Sequence, residues 1–336
     1  MHLLRYLHLP TLIAAFLLLA SPVLFGQQSY QRYHQQVNAA GQLIADHRFE
    51  EALSAFDVIF ESYDFVFVRD YKIATQLALT TSDKARAHTY LRLALQAGWT
   101  PKQAGKNKIV RPLLREVSKQ EADSLMKLHE ATMDVPLREY VHAMFKADQK
   151  MAMKALLKLG QKAKIRYNEG RFAPHSENQM AKVIELLKSH GYPGERFIDN
   201  DFWLSTVLSH HNSISSAYNK SDTLYHHIRP ALLAAIDKGQ MSPFEFALID
   251  NWKTAAESDH SEVSYGYLGP ALDSLTVETA DSLRRQIGLR SIALRNALVE
   301  IQTETGIDFY LPGSPWQHGK IVVTSPQQDR ADGKAF

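Results

Sequence analysis

The stretch His47–Tyr63, HRFEEALSAFDVIFESY, decides the fold, because its large apolar residues recur at steps of three and four. At this spacing they share one face of an α-helix, with charged residues between them. The apolar positions are Phe49, Leu53, Phe56 and Phe60. No stretch of the chain alternates apolar and polar residues over the length of a β-strand. The sequence therefore predicts a mostly α-helical protein.

A loose repeat surrounds this helix, with a period of 34 to 35 residues between Tyr33 and Gly98. Small residues at matching positions let two antiparallel helices approach closely, and a larger residue fills the groove beside them. The offset is 34 in the first helix and 35 in the second, so one extra residue is expected in the second turn, at residues 80–83. The matching positions are Ala40, Ala52 and Phe56 in the first copy and Ala74, Ala87 and Leu91 in the second.

This pattern resembles the tetratricopeptide repeat, which has small, small and aromatic residues at such positions. The resemblance implies tetratricopeptide-like helical hairpins over residues 27–99 that present a groove to a protein or peptide partner. The second copy departs from the family pattern, because Leu91 stands where an aromatic residue is expected. The alternative is a plain four-helix segment whose spacing agrees by chance.

The rest of the chain predicts a connector over residues 100–133 and an α-helical bundle domain over residues 134–324. Helix-start signals in this domain are Ser176 with Gln179, then Ser221, and then a capping box at residues 242 and 245. One helix is predicted to begin at Pro136 and to break at Gly160.

Near the end of the chain, apolar residues at helical spacing predict one long helix over residues 277–305. The segment IVV at residues 321–323 predicts a short strand, and residues 325–336 predict a disordered tail.

The first 26 residues have the pattern of an export signal. Arg5 precedes the apolar run TLIAAFLLLA, and the chain turns polar at Gln27. Cleavage near Gly26 predicts a periplasmic or secreted protein with no stable membrane span. The alternative is an uncleaved anchor in the inner membrane.

Composition argues against several classes of protein. Lys and Arg number 38 and Asp and Glu number 36, and this even balance disfavours a dedicated nucleic-acid binder. The chain has no cysteine, which excludes disulfides, thiolate catalysis, Cys-ligated zinc and a lipid anchor on cysteine. It also lacks the Gly-rich phosphate loops and the common zinc-protease and hydrolase motifs.

Five short motifs follow one another between residues 125 and 272. They are Asp148-Gln149, Gly191-Tyr192-Pro193, one of His210 or His211, Asp250, and Tyr265-Gly266. Their order is similar to that in an uncharacterised bacterial helical domain, known only as a domain of unknown function. That domain often follows tetratricopeptide-like helices in exported proteins, and the resemblance implies no activity.

Two His-His pairs lie sixteen positions apart, at residues 210–211 and 226–227. Adjacent residues of a helix point about 100° apart, so at most one histidine from each pair can face a common centre. His211, one of the second pair such as His227, and Asp250 would suit a divalent metal with an open position. Such a site could activate water for hydrolysis.

Two other interpretations of these residues stay open. They could line a polar pocket without metal, or they could be structural residues at helix boundaries. The candidate pocket comprises Asp148, Trp203, His210, His211, His226, His227 and Asp250. A stripe of lysines at every fourth residue is either a solvated face or a contact surface for phospholipid headgroups. It comprises Lys146, Lys150, Lys154, Lys158 and Lys162.

The sequence thus favours an exported, non-enzymatic helical protein that binds a protein or peptide partner and needs no cofactor. The alternative is a metal-dependent hydrolase with a His/His/Asp site in the second domain.

Overall fold

The computed structural model describes residues 29–262, 264–268, 271–311 and 319–324. These residues form helices joined by short turns, which confirms the mostly α-helical fold. The only β-type pairing among them is one parallel bridge between Leu272 and Val323, so the strand predicted at residues 321–323 is reduced to that bridge. The predicted export signal at residues 1–26 and the predicted tail at residues 325–336 lie outside the described residues. Of the helices described, none combines the length and the apolar character needed to cross a membrane.

Two helical hairpins open the described chain. They are α1 (Tyr30–Ala45) with α2 (Phe49–Ser62), and α3 (Val68–Thr80) with α4 (Lys84–Gln96). The small and large residues of the predicted repeat are all buried in the core that these helices share. These residues are Ala40, Ala52, Phe56, Ala74, Ala87 and Leu91.

The two hairpin turns match each other, and this corrects the predicted insertion. Each turn has three residues, and the middle one, His47 or Ser82, has a positive φ. In both turns the last residue donates its N–H to a carbonyl five residues earlier, at 2.8 Å. The offset is therefore 35 residues in both helices, and Ala74 matches Ala39 instead of Ala40. Ala39 and Ala40 are adjacent, so the sequence comparison paired Ala74 with the wrong one of the two.

The segment predicted as a connector folds onto the second hairpin. Its helices are α5 (Pro101–Ala104), α6 (Arg111–Leu114) and α7 (Lys119–Thr132). Thr100 and Gln103 form a capping box at the start of α5, which was not predicted from the sequence. Val110 and Leu113 are buried in the same core as the hairpins.

The next helices enclose a second core, around residues of α8, α10, α12, α14 and α15. In order they are α8 (Val135–Leu156), α9 (Gln161–Tyr167), α10 (Ala173–Ser189), α11 (Glu195–Ile198), α12 (Trp203–His211), α13 (Ser216–Ser221), α14 (Leu224–Asp237) and α15 (Pro243–Glu257). Gly160 lies between α8 and α9 with a φ of 83°, where the break was predicted.

Two capping signals of this half have other roles than predicted. Ser176 and Gln179 lie inside α10 and are buried, because their side chains bond to neighbouring helices and not to their own helix start. Ser221 ends α13, and the carboxylate of Asp222 accepts the first N–H of α14 at 2.9 Å. The capping box at residues 242 and 245 is present at the start of α15.

The long helix predicted over residues 277–305 is divided in two, α16 (Ser274–Gln286) and α17 (Ile292–Thr305). Gly288 breaks it with a φ of 75°. A Cβ at this position would lie 2.8 Å from the Cβ of His34 on α1, so both the left-handed backbone and the close approach require glycine. Ser291 then caps α17 by accepting the N–H of Leu294 at 3.1 Å.

The turn at Gly288 directs α17 back to the hairpins, so that this part of the predicted second domain packs in the first core. Helix α17 lies against α1, and the segment after it continues along α3. Its buried apolar side chains in this core are Leu294, Leu298, Ile301, Ile307 and Phe309.

Replacing Gly288 by alanine is expected to lower the free energy of unfolding by about 2–3 kcal/mol, because left-handed strain adds to the contact with α1. Gly306→Ala is the matched control, since Gly306 also has a φ of 75° but a Cβ there would meet no atom within 4 Å. The control should lose about 1 kcal/mol in urea unfolding. Equal losses in the two variants would contradict the packing described.

Candidate functional site

His210 and Asp148 form a pair between α12 and α8. Nδ1 of His210 lies 2.5 Å from Oδ2 of Asp148, whose carboxylate is fully buried, whereas the His210 ring is 30% exposed. The second carboxylate oxygen has no hydrogen-bond partner among the described residues. The contact of Asp148 with Nδ1 orients the ring, so Nε2 is the nitrogen that this carboxylate does not engage. Of the two adjacent histidines, His210 is the one that contacts Asp148.

His175 on α10 lies near this pair and was not predicted as a site residue, because no sequence motif marks it. Burial lowers the pKa of His175, the charge of Asp148 raises it, and Lys182 lowers it again, with a net decrease. Its Nε2 is buried without a hydrogen-bond partner in the described part of the chain. A neutral imidazole is therefore expected there at neutral pH.

His211 belongs to a different network, which is buried between four helices. Its Nδ1 lies 2.9 Å from Oγ of Ser176, and its Nε2 lies 3.3 Å from Oδ2 of Asp222. Lys253 places Nζ 3.2 Å from the same carboxylate oxygen and donates to the carbonyl of Asn219 at 2.7 Å. These contacts connect α10, α12, α13 and α15, so the network has a structural role.

Asp222 is the anionic centre of this network. Burial acts to raise the pKa of Asp222, but the His211 ring, the N–H of Leu224 and the charge of Lys253 more than offset it. The net effect holds the pKa of Asp222 well below its usual range. The carboxylate is therefore charged at neutral pH and matches the buried ammonium group.

Asp250 lies in a third network. Its Oδ1 accepts hydrogen bonds from the hydroxyl of Tyr225 at 2.7 Å and from Nε of Arg229 at 2.8 Å. The hydroxyl of Tyr265 lies 3.4 Å from Oδ2. The guanidinium group of Arg229 thus already balances the charge of Asp250, which disfavours binding of a cation by this carboxylate.

The predicted metal set of His211, His227 and Asp250 is not brought together. Helix α13 intervenes between the two histidine pairs, so His211 meets the start of α14, whereas His226 and His227 lie on its exposed side. His226 instead has Glu257 at 3.9 Å. No three His, Asp or Glu residues within the described ranges are placed to hold a metal ion.

Trp203 anchors α12 on α8 through its ring. It stacks on His142 at 4.3 Å between ring centres, and the guanidinium of Arg138 lies 5.0 Å from the ring centre. The neighbouring Phe202 is half exposed. Trp203 itself is 9% exposed, so it contributes packing to the second core and little surface for a ligand.

The face of the hairpins formed by α1 and α3 holds the chain's own segment at residues 307–311. Gln76 on α3 binds the main chain of Asp308 twice: Oε1 accepts its N–H and Nε2 donates to its carbonyl, both at 2.9 Å. The side chains of Ile307 and Phe309 are buried to either side. A partner peptide could use this face only by displacing the segment, so the predicted groove is filled.

A small cavity lies where α1 and α3 meet the turn before α17 and the start of α15. The centre of a water molecule can reach about 20 Å³ of it. Its polar lining comes from parts of the chain that are far apart in sequence, which is why no motif indicated it. The residues that matter for its chemistry are His34, Arg69, Tyr267, Arg290 and Arg295.

The lining of this cavity carries excess positive charge. The guanidinium of Arg290 forms no hydrogen bond or ion pair with another described residue. Burial, followed by the charge of Arg69, lowers the pKa of Arg290 to about 10. The nearby carboxylate of Asp70 already accepts a hydrogen bond from Tyr33 at 2.6 Å and lies 3.3 Å from Nε of Arg69.

His34 also lines the cavity and has a ring nitrogen, Nε2, without a hydrogen-bond partner among the described residues. The residue is 4% exposed. Burial, together with the charges of Arg69 and Arg290, lowers the pKa of His34 to about 3. At neutral pH three arginines, Arg69, Arg290 and Arg295, and one neutral imidazole therefore line the cavity, a set suited to an anion.

Comparison with known proteins adds no identity. No family model, no curated protein and no solved structure matches the chain. The resemblances to the tetratricopeptide repeat and to the domain of unknown function therefore stay predictions.

Asp222→Asn is expected to lower the free energy of unfolding at pH 7 by about 3 kcal/mol, because it removes the buried carboxylate beside the ammonium of Lys253 and leaves only the more exposed Glu257, at 3.5 Å. The folded-state pKa of Asp222 lies below its ordinary 3.8, so its stabilisation is present above about pH 4 and is lost as the pH falls through the folded-state value. The difference in the free energy of unfolding between wild type and variant should accordingly become smaller in acid.

The control for this measurement is Asp259→Asn. Asp259 lies 3.7 Å from Lys220, but its side chain is 74% exposed. Its loss should stay below about 1 kcal/mol. A loss of similar size in both variants would show that the buried network does not hold the helices together.

Proposed function

We propose that this is an exported, non-enzymatic binding protein that engages a polypeptide partner through a carboxylate group. The observation that supports it is the guanidinium of Arg290, which lies in the cavity beside Arg69 without a partner among the described residues. Arg290 is half-buried, and a charge that is partly removed from water destabilises a folded protein unless an opposite charge reaches it.

The chemistry of the cavity favours a carboxylate. Guanidinium groups present paired N–H donors that match the two oxygens of a carboxylate. The reachable volume of about 20 Å³ suits a group of a few atoms, such as an acidic side chain or a chain terminus, rather than a whole small molecule. His34 is neutral at this site and can donate one further N–H.

Other features favour a polypeptide as the bearer of that carboxylate. The hairpins resemble tetratricopeptide repeats, and Gln76 illustrates how α3 binds the main chain of an extended segment. The proposed binding site for the partner is the cavity beside that filled face, and not the face itself. The signal pattern at residues 1–26 favours a periplasmic or secreted location, with an uncleaved anchor as the alternative. The metal-dependent hydrolase receives no support from the separated positions of His211, His227 and Asp250.

Peptide display against the full-length protein is expected to enrich peptides that carry an acidic residue or a free terminal carboxylate. Arg290→Gln should weaken the selected peptides at least tenfold in fluorescence anisotropy, since a charge-assisted hydrogen bond contributes about 1.5–3 kcal/mol. The same variant should unfold no more easily than wild type, because it removes an unmatched charge that is partly buried.

Arg285→Gln is the matched control, because Arg285 is exposed on α16 and does not line the cavity. It should leave peptide binding unchanged. Equal affinity of the two arginine variants, or enrichment of peptides without acidic groups, would contradict the proposal.

A further inference from the structure

The turn between α8 and α9 carries leucines that no part of the described chain covers. Leu156, Leu157 and Leu159 are 68%, 74% and 93% exposed. Met153 and Ile165 on the flanking helices are also exposed. We call residues 153–165 the apolar tip. Several large apolar side chains exposed within one short segment of a folded protein indicate a place of contact.

Helix α9 supports this interpretation from the packing side. None of its residues is buried, although it follows the tip directly. Gly160 at its start has a φ of 83°, and no atom lies within 4 Å of where its Cβ would be. The tip therefore projects from the helical body, and its apolar side chains do not contribute to either core.

Basic residues surround the apolar tip. Between residues 150 and 166 the chain has no Asp or Glu, and the basic side chains are Lys150, Lys154, Lys158, Lys162, Lys164 and Arg166. None of the six forms an ion pair within the described ranges. Lys150 and Lys154 lie on α8, Lys158 lies in the turn, and Lys162, Lys164 and Arg166 lie on α9, so positive charge flanks the apolar residues on both helices.

We infer that the apolar tip docks on an anionic phospholipid surface. The exposed leucines would enter the boundary between headgroups and acyl chains, and the flanking lysines would contact lipid phosphates. Positive charge on both helices beside an exposed apolar turn fits a fluid, planar anionic surface, whereas a folded protein partner would need a matching pocket. This inference rests on other residues than the carboxylate site and does not depend on it.

The test uses the absence of cysteine from the chain, which allows a single engineered thiol to be labelled. Leu159→Cys carries an environment-sensitive nitrobenzoxadiazole dye and is mixed with vesicles of phosphatidylglycerol and phosphatidylcholine. Leu275→Cys is the matched control, since Leu275 is 71% exposed on α16, two residues after Asp273. Because the label lies at the tip, its emission reports this contact and not that of residues 1–26.

The dye at residue 159 should shift to the blue and brighten with the anionic vesicles. It should not respond to vesicles of phosphatidylcholine alone, and the dye at residue 275 should respond to neither. High salt should reduce the response, because exposed charges are then screened. Lys154→Glu combined with Lys158→Glu should lower vesicle binding at least tenfold, whereas Lys119→Glu with Lys127→Glu on α7 should change it little.

Two results would overturn the inference. One is an unchanged emission at residue 159 with anionic vesicles, or an equal response to both vesicle types. The other is a dimer in light scattering that Leu157→Asp abolishes, without any vesicle response, since the tip would then contact a second copy of the chain.

Discussion

Close contact between α1 and the turn at Gly288 joins the two halves of this protein. Asn38 donates to the carbonyl of Gly288 at 2.9 Å, and Gln31 donates to the carbonyl of Gln286 at 3.1 Å. The start of α1 makes a second close approach, where the ring of Tyr30 covers Gly239 after α14. Without these approaches α17 could not return to the hairpins, and the arginines of the cavity would not face His34.

Periodicity predicted the helices because the burial of one stripe of a helix is a local property of the sequence. Features set by distant partners were not predictable in this way. Ser176 has the sequence of a helix cap, but its hydroxyl bonds to His211 in the helix interior. The predicted single helix over residues 277–305 breaks at Gly288. His34 of α1 packs so close to this position that a side chain would not fit there.

The residues of the candidate site were even harder to predict from local sequence, because distant parts of the chain bring them together. The spacing of the two His-His pairs suggested a shared site, but α13 lies between them. His210 and His211 belong to two different networks, with Asp148 and with Asp222. The cavity went unnoticed because His34, Arg69 and Arg290 come from three distant segments with no common motif. Only the fold brings their charges together, so a single sequence gives no sign of the excess.

The hydrogen bonds between Gln76 and Asp308 join residues 232 positions apart. The hairpins at the start of the described chain therefore have an uncovered apolar face until almost all of the protein has been synthesised. Contacts of such long range slow the completion of a core, and they keep the newly made chain open for longer. The order of synthesis thus delays completion of the first core until the segment at residues 307–311 has been made.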